Sequence, residues 1–296
     1  MHINDSLAKA IKSEYKIGRD MMSTFVKSLD KLLESTAWEM TPPPAYGLFH
    51  LSFTFIGIAI CIFLAWKLRG LSERGHKTVL GCVGAFLILT EIYKQLFYCF
   101  YMSDNSYVWW IFPFQLCSVP MYLCIIALFL KPGPLRNGIY GFMTTYNLLG
   151  GIMAFIEPSG ITHGYWTLTL HAYLWHMLLI FIGIYLIISG RFAKTKKDYL
   201  HATVTFLVLC GVAFTINVIF RNVSGGSINM FFVGPSNSSL AVFKDISEKF
   251  GWYVSTAIYI PTVMLGAFLV YLPAHIYAKK KFGKQTESSP ETISVQ

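Results

Sequence analysis

The chain has 296 residues, 54% of them apolar and only 13% charged, with 7 Trp, 17 Tyr and 24 Phe and a formal net charge of +9. A charged fraction about half that of an average soluble domain excludes a soluble enzyme, a disordered chain and a disulfide scaffold. The basic residues sit in short clusters between long apolar runs, which argues against a nucleic-acid partner and for an all-α, polytopic protein of the cell membrane.

Residues 1–41 carry six Lys/Arg and six Asp/Glu, and Leu7, Ile11, Tyr15, Met22, Phe25, Leu29 and Leu32 recur at helical spacing. The segment lacks the apolar core and small-residue cleavage site of a signal peptide. It is expected to form an amphipathic helix on the outer leaflet or against a partner, and no protein partner is identifiable from it. Pro42, Pro43 and Pro44 separate it from the membrane domain, 47–277.

A hydrocarbon core of about 30 Å needs about 20 apolar residues per helix. That length is met at 47–67, 78–102, 110–130, 136–156, 165–189, 200–221 and 252–277, which predicts seven transmembrane helices. The loops after spans one, three and five, together with the segment after span seven, hold 14 Lys/Arg; the opposite loops hold 3. The positive-inside rule then places the C-terminus in the cytoplasm and the N-terminus outside. Residues 278–296 read as a basic, then polar, disordered cytoplasmic tail.

Polar side chains inside a bilayer are costly and mark candidate functional positions. At about 1.5 Å per residue, Gln115 and Cys117 lie roughly 8 to 12 Å below the outer boundary. Glu91, Lys94, Asn147, His171, His176 and Asn217 fall in the same outer-half layer, as expected of a polar cavity. Pro113 and Pro120 interrupt the helix around Cys117, a break tolerated at depth only where the backbone finds other partners. A thiol so placed is a candidate nucleophile, with His171 or His176 as base and Lys94, paired with Glu91, as the charge that favours the thiolate. The two histidines are five residues apart and point about 140° away from each other, which argues against a shared zinc site. No metal and no cofactor is expected.

Phe112-Pro113-Phe114-Gln115-Leu116-Cys117 resembles the Pro-x-(Gln/His)-Leu-Cys segment of the bacterial YwaF family, which is related to the animal transmembrane protein 164. Asn217, Asn229-Met230-Phe231-Phe232, Pro235 and Gly251-Trp252-Tyr253 follow in the order expected of it, so the resemblance covers roughly residues 47–275. Two positions depart from the bacterial pattern: Met177 stands where Gly is usual, and Gly251 where Pro is usual. The resemblance implies a lipid acyltransferase or acyl hydrolase with Cys117 as nucleophile and His176 as base, and a membrane lipid as substrate. Gln115, Asn147 or Asn217 would then donate to the oxyanion, with Asn229 a supporting residue of the shared motif. The residues themselves leave a second expectation open: a transporter or small-molecule binder built on the same polar cavity.

Overall fold

The computed structural model describes residues 24, 26–192 and 195–287 of the chain. Helix α1 covers 26–36. It is followed by α2 (Leu48–Leu68), α3 (Glu73–Leu96), α4 (Val119–Phe129), α5 (Pro134–Thr144), α6 (Tyr146–Ile156), α7 (Trp166–Ile188), α8 (Lys196–Phe220), α9 (Phe243–Phe250) and α10 (Trp252–Glu287). No strand occurs among the described residues; the nearest thing is a single bridge between Glu39 and Tyr165.

Local chemistry sets the boundaries. Ser72 caps α3 by accepting from Gly75 N–H at 3.3 Å, with Glu73 in the first turn where the helix dipole favours an anion. A capping box starts α8, in which Asp198 accepts from Thr195 N–H at 2.9 Å. Proline opens α4 and α5, positions whose N–H would have no intrahelical partner in any case.

Six stretches are long and apolar enough to cross a membrane: Leu48–Leu68, Glu73–Met102, Pro134–Ile156, Trp166–Ile188, Lys196–Phe220 and Trp252–Phe282. The expected span at 110–130 is not one continuous helix. It comprises a 3₁₀ turn at Trp109–Ile111, an irregular run over 112–118 and the 11-residue α4. The two prolines contribute, since neither Pro113 nor Pro120 can donate to a helical ladder; Pro261 and Pro273 are tolerated inside α10, whereas here the backbone leaves the helix ahead of α4. The next span also breaks, at Thr145 (φ −109°, ψ −68°), where Thr145 Oγ1 donates back to Gly141 O at 2.7 Å.

The bundle is apolar outside as well as inside. Phe55 and Leu89 are each 67% exposed and Leu269 is 60% exposed, the surface expected where the solvent is lipid. Helix α7 is the axis, packed by α2, α3, α5, α6 and α10. In its most apolar stretch 61% of residues are buried, against 17% for α2 and 22% for α10. Small residues bring the helices together: a Cβ on Gly138 would come within 2.4 Å of Thr205 Oγ1, and one on Gly183 within 2.8 Å of Leu148 Cβ.

The N-terminal segment packs on the bundle itself. Leu33 is buried with Phe97, Tyr98, Ile111 and Leu168, and Thr36 Oγ1 lies 2.8 Å from Tyr93 Oη. Residues 1–23, which hold most of the expected amphipathic helix, lie outside the described residues, as does the tail from 288. The chain stays helical past the expected end of the membrane domain at 277, because α10 runs to Glu287. Replacing Gly138 with Leu should overpack the α5–α8 contact and cost about 1–3 kcal/mol, read as a lower thermal-unfolding midpoint in detergent.

Candidate functional site

The site forms where two irregular stretches of backbone meet between helices. The first is 112–118, ahead of α4; the second is 226–238, between α8 and α10. A backbone group buried without a partner costs about 1–3 kcal/mol, so side chains have to replace the missing helical hydrogen bonds.

They do so group by group. In the first stretch, Gln95 Nε2 donates to Ile111 O at 2.7 Å, Tyr122 Oη to Pro113 O at 2.9 Å and Trp175 Nε1 to Cys117 O at 2.8 Å. In the second, Asn217 Nδ2 donates to Met230 O at 3.0 Å and Gly234 O at 2.8 Å, while its Oδ1 accepts from Met230 N–H at 2.6 Å. Asn229 Nδ2 donates to Ser236 O and Asn237 O at 3.1 and 3.0 Å, and its Oδ1 accepts from Gly234 N–H at 3.2 Å. Gln115 joins the two stretches: it donates to Asn229 O at 3.2 Å and accepts from Phe231 N–H at 3.0 Å.

These bonds hold the second stretch in a tight shape. Phe231 and Phe232 both have φ of 55°, the left-handed region that non-glycine residues avoid. The buried Phe231 ring stacks on Phe114 at 5.8 Å and Phe206 at 6.4 Å. Gly234 (φ 79°) must be glycine, since a Cβ there would lie 2.2 Å from Trp252 Cε3.

A charged and aromatic cluster adjoins the first stretch. Glu91, 4% exposed, pairs with Lys94 at 2.9 Å and accepts from Gln95 Nε2 at 2.7 Å. Lys94 Nζ sits 5.9 Å from the Trp175 ring centroid, and the His171 ring packs on the same indole at 5.3 Å. The field of Lys94 reaches the thiol of Cys117 and the rings of His171 and His176. Outside the spans, His163 titrates below the usual imidazole range, first because it is buried and second because it faces the Lys94 ammonium. His176 Nδ1 lies 2.7 Å from Ala172 O.

Glu91, Lys94, Cys117 and His171 are thus gathered about Trp175, and His176 is the next residue along α7. Gln115, Asn217 and Asn229 surround the same place as clamps on the loops. The amide hydrogens of Asn217 and Asn229 all point at carbonyls, which leaves neither residue a donor for a ligand. Asn147 stands apart on α6: its side-chain N and O are buried and unpartnered among the described residues, as is Thr144 Oγ1. One turn further along α6, Gly151 lies against His176 O. Among the described residues no group of three or more His, Cys, Asp or Glu is arranged to hold a metal.

Trp175 and Tyr259 were not among the sequence candidates. Tyr259, buried on α10, packs edge-on against Phe232 of the second stretch at 6.3 Å. Trp175 was legible in principle, since it lies between the two histidines on a helix whose other aromatic residues read simply as packing. Two cavities, of about 470 and 450 Å³, lie at the opposite end of the bundle, and neither is lined by Cys117 or by a site histidine.

The family model described as the TMEM164 family matches residues 45–272. No curated protein matches the chain, and no solved structure does.

The clamps make a direct prediction. Asn217→Leu leaves Met230 N–H and Gly234 O buried without partners, at about 1–3 kcal/mol each, and leaves Met230 O with the Val233 N–H alone. Hydrogen exchange across 226–238 should accelerate and the unfolding midpoint should fall, whereas an exposed α8 control such as Val208→Leu should change neither.

Proposed function

The chain belongs to the TMEM164 family, and from that membership we propose that it is a membrane-embedded lipid acyltransferase or acyl hydrolase working through Cys117 and His176. The observation that carries this reading is the bond of His176 Nδ1 to Ala172 O. A carbonyl only accepts, so Nδ1 bears the proton, and in the neutral ring Nε2 is left with a free lone pair. That is the tautomer a general base needs. On the preceding residue, Trp175 ties down the backbone of Cys117, so the thiol sits on a fixed segment beside the same turn of α7. Cys117 and His176 are both half-buried.

In the first half-reaction the Cys117 sulfur attacks the acyl carbonyl carbon and His176 Nε2 takes the thiol proton. The bond from carbon to the lipid oxygen breaks, and that oxygen leaves with the proton from His176. The acyl group then rests on sulfur as a thioester. A lyso-lipid hydroxyl or water attacks it, His176 takes the incoming proton and the proton returns to sulfur. Lys94, anchored by Glu91, offsets negative charge as it develops. The second Nε2 hydrogen of Gln115 is the donor left for the tetrahedral oxygen. The apolar exterior lets an acyl chain arrive from the bilayer.

A second reading, binding or passage of a polar small molecule, is favoured by the buried unpartnered atoms of Thr144, Asn147, His171 and Tyr173, which hold hydrogen-bonding capacity in reserve. Reconstituted protein given an acyl-donor phospholipid and a lyso-lipid separates the two. Turnover followed by mass spectrometry should be abolished by Cys117→Ala and lowered about 10²–10⁴-fold by His176→Ala. Turnover intact in both variants overturns the assignment, and a ligand-dependent thermal shift without acyl chemistry favours the second reading.

The proposal includes the topology. Helix α4, at 11 residues, covers about 17 Å of a roughly 30 Å core, and the turn and irregular run over 109–118 complete a seventh crossing. The loop charges place the C-terminus in the cytoplasm and the N-terminus outside. In intact cells Asn105→Cys, at an exposed position, should react with an impermeant maleimide, and a C-terminal epitope should resist added protease. The reverse pattern would overturn this orientation.

A further inference from the structure

At the end of the bundle away from Cys117, the 470 Å³ cavity is lined by Arg69, Arg136 and Arg191, with Asp198 the one carboxylate among the lining residues. Along α3, Glu73 and Glu91 mark the two ends, roughly 27 Å apart. Asp198 is turned into the start of α8, where it accepts from Thr195 N–H. Glu73 neutralises part of the cluster by accepting from Arg136 Nη1 at 2.6 Å and Arg191 Nη1 at 2.7 Å. Arg191 Nη2 donates to Leu71 O at 3.0 Å. The Nε groups of Arg136 and Arg191 are buried and have no partner among the described residues.

Two buried guanidinium N–H donors without acceptors are costly in a native protein unless something else accepts from them. Gly190, on the cavity wall, has φ of 66° and packs so closely on Phe282 that a Cβ there would lie 2.8 Å from its ring. Arg136 lies over the Tyr140 ring, and His76 bonds both Tyr185 Oη at 3.1 Å and Tyr140 Oη at 2.8 Å.

The second cavity lies beside the first, lined by residues that neighbour those of the first in sequence. It is an almost wholly apolar groove of about 450 Å³ lined by Ala59, Ile62, Phe63, Trp66, Ile188 and Tyr277. Trp66 stands one turn before Arg69 on α2 and holds its guanidinium 4.5 Å from the ring, while Ile188 precedes Gly190 and Arg191 at the end of α7. A basic pocket beside an apolar groove has the two-part chemistry of a phospholipid, anionic head and acyl chain. Inorganic phosphate would use only the first part.

We propose that this end of the bundle is a binding site for an anionic phospholipid, its phosphate among Arg69, Arg136 and Arg191 and one acyl chain along the α2–α10 groove. The site is independent of the acyl-transfer reading and leaves Cys117 free. It uses the general affinity of basic pockets between membrane helices for acidic head groups.

The test is native mass spectrometry of the full chain released from mixed micelles of phosphatidic acid and phosphatidylcholine, with a parallel titration of inorganic phosphate. Phosphatidic acid should be retained over phosphatidylcholine, and Arg69→Gln should weaken its retention about fivefold. Glu73→Gln frees Arg136 and Arg191 and should strengthen retention, a gain that misfolding cannot produce. Equal retention of the two lipids, or no change in either variant, overturns the proposal. Displacement of the lipid by phosphate alone at matched concentration overturns the acyl-groove part of it.

Discussion

Everything near Cys117 depends on one constraint: backbone that is not helical, buried among apolar helices, has to be hydrogen-bonded by side chains. The stretches 112–118 and 226–238 meet it together. Gln115 belongs to the first and bonds the second, Asn217 reaches the second from α8, and Trp175 holds the first from α7. Each clamp is neutral, so it supplies the bond without the far larger cost of an unpaired charge. The one ion pair in the region, Glu91 with Lys94, is local to a single helix face and further tied by Gln95. Removing any clamp strands a carbonyl or an N–H where neither water nor lipid replaces it.

The same constraint shapes the surroundings of the proposed nucleophile and base. A cysteine inside a regular helix has its backbone hidden and its side chain crowded by the preceding turn. On the irregular run before α4, Cys117 is half-buried and its carbonyl accepts from Trp175 Nε1. His176 is fixed through one ring nitrogen, which leaves the other available. Trp175 unites the arrangement, since its indole meets the Cys117 carbonyl, the Lys94 ammonium and the His171 ring at once.

Much of this was legible in the sequence, and the rest was hidden for physical reasons. Length and hydropathy read the long helices well because a helix that is apolar all round has one solution in lipid. Pro113 and Pro120 announced a broken segment, although not that α4 would keep only 11 residues of it. Depth along the chain put Glu91, Lys94, Cys117, His171 and His176 in one expected layer. It could not separate a donor aimed at a ligand from one aimed at a carbonyl, so Asn217 reads as an oxyanion donor although both its amide hydrogens go to loop carbonyls. Asn147 reads the other way, with its amide left unpartnered. The docking of Leu33 against Phe97 was out of reach as well, since an amphipathic pattern does not say which surface receives it.

The central claim is that Cys117 carries the acyl group between donor and acceptor. Its most direct measurement is peptide mass mapping of the reconstituted protein, quenched in acid after exposure to an acyl-donor phospholipid without acceptor. The account predicts an acyl adduct on the peptide containing Cys117, released by neutral hydroxylamine as a thioester is, and absent from the His176→Ala protein on the same time scale. An adduct on another residue, or lyso-lipid formed with Cys117 unmodified throughout, would contradict it.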